Sequence, residues 1–127
     1  MASINRVFLI GNVGKDPEIR EIEGGKIATI TLATSESFTD RSGQRKEQTE
    51  WHTIVVFGKL ADIVDRYIRK SSMLFVDGKI RTRSWQDRDN TMHFKTEIVA
   101  NQIQMLNKPG DKPQPQEQRD EDLPDFL

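Results

Sequence analysis

All the aromatic and basic side chains of residues 73–85 fall at odd-numbered positions. These odd positions carry Phe75, Asp77, Lys79, Arg81, Arg83 and Trp85. Side chains alternate between the two faces of a strand, so in a strand these residues share one face, and Leu74, Val76, Gly78, Ile80 and Thr82 form a core face. Rings stack on unpaired bases and cations neutralise phosphates, so this face predicts a surface for single-stranded nucleic acid.

Residues 50–57 show a second alternation, with rings at both ends of one face. Trp51 and Phe57 occupy odd positions, and the even set His52, Ile54 and Val56 fits a core or a subunit contact. Cations on an outer strand face are also commonly no more than solubilising charges. A second aromatic strand favours binding over that alternative.

One further ring lies in a polar stretch. Phe38 falls within residues 35–48, which read as a long loop, beside Arg41, Arg45 and Lys46. A role for Phe38 in the core is not obvious from that composition.

Other kinds of chemistry have weak support in the sequence. The two histidines lack metal-ligand spacing, and 24–26 lacks the rest of a phosphate-binding loop. Paired acids that could hold Mg²⁺ flank turns, where solvated charge is the usual reading; they are Glu21 with Glu23 and Asp87 with Asp89. We therefore predict a protein that is not an enzyme and that uses no cofactor and no metal.

The elements that must position these residues are mostly strands. Patterning predicts strands at 7–10, 26–34, 50–57, 73–85 and 94–100, with short extended runs at 18–22 and 103–106. Residues 59–70 carry apolar side chains at helical spacing instead, at Leu60, Ile63, Val64, Tyr67 and Ile68. The predicted fold is a five-stranded Greek-key OB barrel with one helix between strands 3 and 4.

Charge divides the chain of 127 residues into two parts. Residues 1–108 hold 17 Lys and Arg against 14 Asp and Glu, whereas 109–127 hold two against six. Residues 109–122 lack an apolar side chain and are predicted to be a disordered linker. We therefore expect a domain over 1–108 and a linker with an acidic tip over 109–127. The absence of cysteine, of a leader-like start and of a long apolar run favours the cytoplasm.

At these residues the chain resembles the bacterial single-stranded DNA-binding proteins. The most specific blocks are Glu50-Trp51-His52 and Arg81-Thr82-Arg83-x-Trp85, and the resemblance covers nearly all of 3–106. The other matching segments are 5–7, 9–18, 30–37, 46–49, 56–61, 67–70, 76–80 and 104–106.

The resemblance implies an OB fold and a homotetramer around which single-stranded DNA wraps. By position it implies stacking residues at Phe38, Trp51, Phe57 and Trp85. It implies cationic contacts drawn from Arg6, Lys59, Lys70, Lys79, Arg81 and Arg83. It further implies that an acidic tip docks replication, repair and recombination enzymes, here Asp120, Glu121, Asp122, Leu123, Pro124, Asp125, Phe126 and Leu127.

The chain departs from the family pattern at four places, one of which is a linker over 109–122 that is short for the family. Phe38 stands where many relatives have Trp, and Ser71 stands where a helix-ending Gly is usual, which makes a left-handed termination costlier. In the tip, Asp125 separates Pro124 from Phe126, and Leu127 follows.

The alternatives to a single-stranded DNA-binding protein are an OB-fold replication-restart or RNA-binding protein, a nuclease and a protein–protein scaffold.

Overall fold

The computed structural model describes residues 1–107, so the predicted linker and acidic tip lie outside the described residues, and the domain boundary at 108 stays a prediction. Six strands and one helix follow one another along the described part of the chain. In order they are β1 (Val7–Val13), β2 (Glu18–Ile22), β3 (Gly25–Thr39), β4 (Arg45–Phe57), α1 (Lys59–Tyr67), β5 (Met73–Gln86) and β6 (Met92–Met105).

Five of the strands close into a barrel in the order β1-β5-β6-β4-β3, and β1 meets β3 again at Asn12 and Val13. All neighbours are antiparallel except β4 and β6, which pair in parallel at Ile54 with Ile98 and at Val55 with Val99. β2 pairs with β3 outside this ring. The predicted mostly-β barrel with one helix between its third and fourth strands is therefore confirmed.

The barrel interior is filled by alternate residues of the strands and by one face of α1. Ile30, Leu32, Ile54, Leu74 and Val76 are fully buried, as the alternation predicts. Each such side chain contributes about 1.5–3 kcal/mol of burial. From the helix, Ala61 and Val64 complete the same core cluster.

The helix ends earlier than its periodicity suggests. Ile68 is buried in the core but already has extended backbone, with φ −91° and ψ 129°. Apolar spacing reports burial, so it continues beyond the last helical residue. Soon after, Ser71 adopts φ +77°, the left-handed conformation expected where relatives have Gly, and its N–H donates to the Val13 carbonyl at 2.8 Å.

The prediction of a long loop over 35–48 is wrong. β3 and β4 continue through it as a paired two-stranded arm, in which Ser35 faces Thr49 and Phe38 faces Lys46. Only 40–44 form the turn, where Asp40 Oδ1 accepts hydrogen bonds from the Ser42 and Gln44 N–H groups. The arm is exposed on both faces, so it carries no apolar alternation by which a strand is recognised.

The last strand of the barrel also differs from the prediction. The runs 94–100 and 103–105 belong to one strand, β6, with Asn101 as an extra residue between Ala100 and Gln102, and Leu106 lies just beyond its end. Such a bulge bends a strand and interrupts its alternation, which explains the apparent break in the sequence.

The two faces predicted for 73–85 hold only in part. On the odd face, Phe75 and Asp77 are buried, at 5% and 6% exposure, rather than solvent-facing. On the even face, Ile80 and Thr82 are exposed rather than in the core. The reason is that β1 accompanies β5 only as far as Gly78, after which β5 and β6 continue as a hairpin beyond the barrel.

Candidate nucleic-acid interface

Odd-numbered residues of β4, β6 and β5 share one outer face of the barrel. Val55 of β4 is paired with Val99 of β6, and β6 in turn places Glu97 opposite Arg81 and His93 opposite Trp85 of β5. Trp51 and Phe57 stand on the same side of β4, six residues apart, or about 20 Å along a strand. Three of the four predicted stacking rings therefore belong to one continuous surface, which we call the odd face.

The two rings of β4 are both exposed, and each has a distinct neighbour. Trp51 is 59% exposed. Phe57 lies beneath the Arg81 guanidinium, whose central carbon is 5.7 Å from the ring centroid. A cation over a ring of this kind contributes about 0.5–1 kcal/mol at an exposed site.

Gly14 shapes the position of Trp51. A Cβ at Gly14 would lie 2.4 Å from Cζ3 of the indole and 2.9 Å from Cη2, so only glycine leaves room for the ring. The Gly14 N–H donates to the Thr31 carbonyl at 2.9 Å, which holds this backbone against β3. Sequence reasoning did not select Gly14 as a site residue, because the contact joins positions 37 residues apart.

A buried carboxylate lies in the middle of the basic residues. Glu97 Oε1 accepts hydrogen bonds from Arg81 Nη2 and from Arg83 Nε, both at 3.1 Å, and the Glu97 side chain is 4% exposed. The acid therefore orients both arginine side chains, which remain partly exposed. Arg81 Nε is buried and has no hydrogen-bond partner. Lys79, also predicted, is exposed two positions earlier on β5. Glu97 was missed, although its odd position on β6 is the signal that could have found it.

Trp85 has two close neighbours near the tip of the β5–β6 hairpin. The Arg83 guanidinium carbon is 4.8 Å from its ring centroid, and the His93 ring stacks at 5.5 Å with 23° between the planes. Asp87 Oδ2 accepts a hydrogen bond from His93 Nε2 at 2.6 Å. The pKa of Asp87 is held below its usual range mainly by this hydrogen bond and, to a smaller extent, by the one from the Thr91 N–H.

Phe38 is not brought together with the other rings. It is exposed, but its register opposite Lys46 places it on the even face of the β3–β4 arm, whereas Trp51 stands on the odd face. The even face of the arm borders a groove that reaches β1. This groove is lined by Phe8, Leu9, Ile10, Thr34, Glu36, Gln48, Glu50 and His52.

The remaining predicted cations are in different surroundings. Arg6 donates from Nε and Nη2 to the two carboxylate oxygens of Asp77, both at 2.7 Å, and this hydrogen bonding keeps the pKa of Asp77 below its usual range. Its guanidinium is thus engaged within the protein. Lys59 begins α1 and Lys70 follows it, and both side chains are exposed.

Within residues 1–107, no cluster of His, Asp or Glu has the arrangement to hold a metal ion. No helix in the described part of the chain is long and apolar enough to cross a membrane.

A closed five-stranded barrel with one helix defines an OB-type barrel, a class whose members bind oligonucleotides or oligosaccharides. The model of the Single-strand binding protein family matches residues 4–106. The chain belongs to this family.

Two solved structures are similar to the chain. The Plasmodium falciparum SSB in complex with ssDNA is 36% identical, with a TM-score of 0.77, and the match covers 84% of this chain and 98% of that one. A deletion mutant of the single-stranded DNA binding protein from Thermus aquaticus is 30% identical, with a TM-score of 0.72. That match covers 82% of this chain and 51% of the Thermus chain.

Proposed function

We propose that this protein binds single-stranded DNA without sequence preference and without catalysing a reaction. The observation that carries the proposal is the odd face, where Trp51, Phe57 and Trp85 are exposed beside Arg81 and Arg83. Family membership and the likeness to an SSB solved with ssDNA support it.

Binding on this surface would combine two contributions to affinity, neither of which depends on the DNA sequence. Each base that stacks on a ring contributes about 1–3 kcal/mol, and every base has a face that can stack. Cations that neutralise phosphates release counterions, which adds affinity that falls with salt. A duplex hides its base faces within the stack, so single strands are preferred without any base-specific contact.

The proposed DNA contacts are the ten residues that the sequence suggested, with unequal support from their placement. Trp51, Phe57, Trp85, Arg81, Arg83 and Lys79 are supported by their common face. Phe38 would be reached by a strand that passes from the odd face around the β3–β4 arm. Arg6 would contact a phosphate only in exchange for part of its bond to Asp77. Lys59 and Lys70 would contribute from the ends of the helical segment.

We also propose a homotetramer, around which one DNA strand would pass from subunit to subunit. Support comes from apolar side chains at the surface of β1, where both Phe8 and Ile10 are exposed. Linking several sites raises the effective concentration of each for the same strand.

The biological role that we propose is protection of single strands during replication, recombination and repair, in the cytoplasm and its nucleoid. The acidic residues 120–127 would recruit enzymes of these processes by docking Phe126 or Leu127 in an apolar pocket with a basic rim. This part of the proposal rests on composition and on the resemblance.

The deciding experiment measures affinity for a short dT oligomer, for a duplex of equal length and for an rU oligomer, with and without Mg²⁺. We expect tight dT binding, weak duplex binding and intact DNA after incubation with Mg²⁺. Preference for rU would favour the RNA-binding alternative, and loss of strand with Mg²⁺ would indicate a nuclease.

Two ring substitutions on the same hairpin locate the contact. Trp85→Ala should weaken dT binding by about 1–3 kcal/mol. Phe94→Ala is the matched control, because Phe94 is 69% exposed but stands on the even face of the β5–β6 hairpin, opposite Ser84. Equal losses from both variants would contradict the assignment of DNA to the odd face.

A further inference from the structure

His93 connects the hairpin tip to one of the proposed stacking rings. It stands directly opposite Trp85 in the β5–β6 register, and its ring stacks on the indole with centroids 5.5 Å apart. Its side chain is partly exposed, and the Lys95 side chain follows on the same face. His93 lies outside the sequence segments that carry the resemblance to the family.

The imidazole is held at Nε2 by an acid that is itself fixed. Asp87 Oδ2 accepts the His93 Nε2 hydrogen bond at 2.6 Å. Its other oxygen, Oδ1, accepts hydrogen bonds from the Asp89 N–H at 2.8 Å and from the Thr91 N–H at 3.0 Å. The turn backbone thus fixes Asp87, Asp87 fixes His93, and His93 packs on Trp85.

We propose that His93, oriented by Asp87, is a positioning residue of the single-stranded DNA site and acts through Trp85. An exposed tryptophan without such a support would sample several rotamers, and a base that stacks on it would have to immobilise it. Preorganisation avoids that entropic penalty. The inference rests on the proposed function, since it assumes that Trp85 contacts DNA.

The competing explanation is that the contacts among Asp87, His93 and Trp85 only stabilise the hairpin. Asp87 also closes the turn between β5 and β6, because the Asp87 N–H donates to the Thr91 carbonyl at 3.1 Å. If His93 only stabilised the tip, its loss would lower hairpin stability without being coupled to Trp85 in DNA binding.

The test is a double-mutant cycle on the full chain with Trp85→Ala, His93→Ala and the double variant, read as Kd for a short dT oligomer. Trp85→Ala should weaken binding by about 5- to 150-fold. His93→Ala alone should weaken it by about 2- to 10-fold, the penalty of immobilising one free side chain. In the Trp85→Ala background, His93→Ala should have no further effect, since the residue acts through the missing ring.

Fluorescence reports the packing of His93 on Trp85 directly, and His93→Phe separates that ring contact from the hydrogen bond to Asp87. The chain has two tryptophans, so Trp51→Phe leaves Trp85 as the single emitter. In that background His93→Ala should raise the access of iodide to Trp85, and His93→Phe, which keeps a ring, should restore most of the protection. Thr96→Ala is the matched control, because Thr96 lies on β6 but faces Thr82 on the even side.

The outcomes separate this inference from the proposed function. Equal effects of His93→Ala with and without Trp85, or no effect in the wild type, overturn the positioning role while Trp85 remains a contact. An unchanged Kd for Trp85→Ala overturns both the contact and its support. Failure of the wild type to bind dT refutes the proposed function itself.

Discussion

The indole of Trp51 lies against the backbone of Gly14, so close that an added Cβ would be 2.4 Å from its Cζ3 atom. Gly14 follows β1 and Trp51 lies in β4, so the ring's place on the odd face depends on two elements that only the fold brings together. This relationship gives the first prediction.

Gly14→Ala should displace the Trp51 ring and weaken dT binding by up to about 1–3 kcal/mol, the contribution of one stacked base. The measurement is Kd together with Trp51 emission in a Trp85→Phe background. Combining Gly14→Ala with Trp51→Phe should remove most of the penalty, because phenylalanine has no outer indole ring to collide with the new methyl group. Unchanged emission in Gly14→Ala would contradict the contact.

Salt dependence tests the basic residues of the odd face. Log K for dT should fall linearly with log salt concentration, and Lys79→Gln, Arg81→Gln or Arg83→Gln should each make the slope shallower by about 0.7. Arg20→Gln is the control, because Arg20 lies on β2 outside the closed ring. If all three slopes equal that of the control, the cations of β5 serve only solubility.

Ser71→Gly should stabilise the protein by about 0.5–1 kcal/mol, since glycine adopts φ +77° without the penalty that a Cβ incurs. The Ser71 N–H bond to Val13 is retained in this variant. Urea unfolding measures the difference. Ser72→Gly is the contrasting variant and should destabilise, because the buried Ser72 Oγ accepts the Arg69 N–H.

Acid should remove a contribution that Asp77 makes to stability. Its pKa is depressed in the folded state by the Arg6 hydrogen bonds, so the stabilisation is complete above the unfolded value of about 3.9 and is lost as pH falls through the folded value. Asp77→Asn should therefore be less stable than the wild type at neutral pH, and the difference should narrow towards about pH 3. A difference that stays constant between these pH values would contradict the linkage.

Deletion of residues 120–127 separates the acidic tip from DNA binding. The truncated protein should bind dT equally or slightly more tightly, because negative charge no longer competes for the basic face. It should also lose the replication and repair enzymes that the full chain retains in pull-downs from host lysate. Recovery of the same partners by both proteins would refute docking through the tip.

Residue types that could bind single strands, and the side of a strand on which they stand, were predictable from the amino-acid sequence. Strand alternation is local, with a period of two, so Trp51 with Phe57 and Lys79 through Trp85 could be assigned to faces from their spacing. Core positions such as Ile30, Ile54 and Val76 followed from the same rule.

The way in which those faces combine depends on contacts between strands that are far apart in the sequence. The parallel pairing of Ile54 with Ile98 joins the rings of β4 to the cations of β5 across β6, and no local pattern encodes that contact. The N-terminal residues cover part of β5, as Arg6 binds Asp77 and Phe8 stacks on Phe75. Gly14 and Glu97 acquire their roles in the same way, because each is defined by a neighbour distant in sequence, whereas His93 meets Trp85 and Asp87 within one hairpin. Burial and pairing between strands depend on the closed barrel, whereas alternation depends only on the chain.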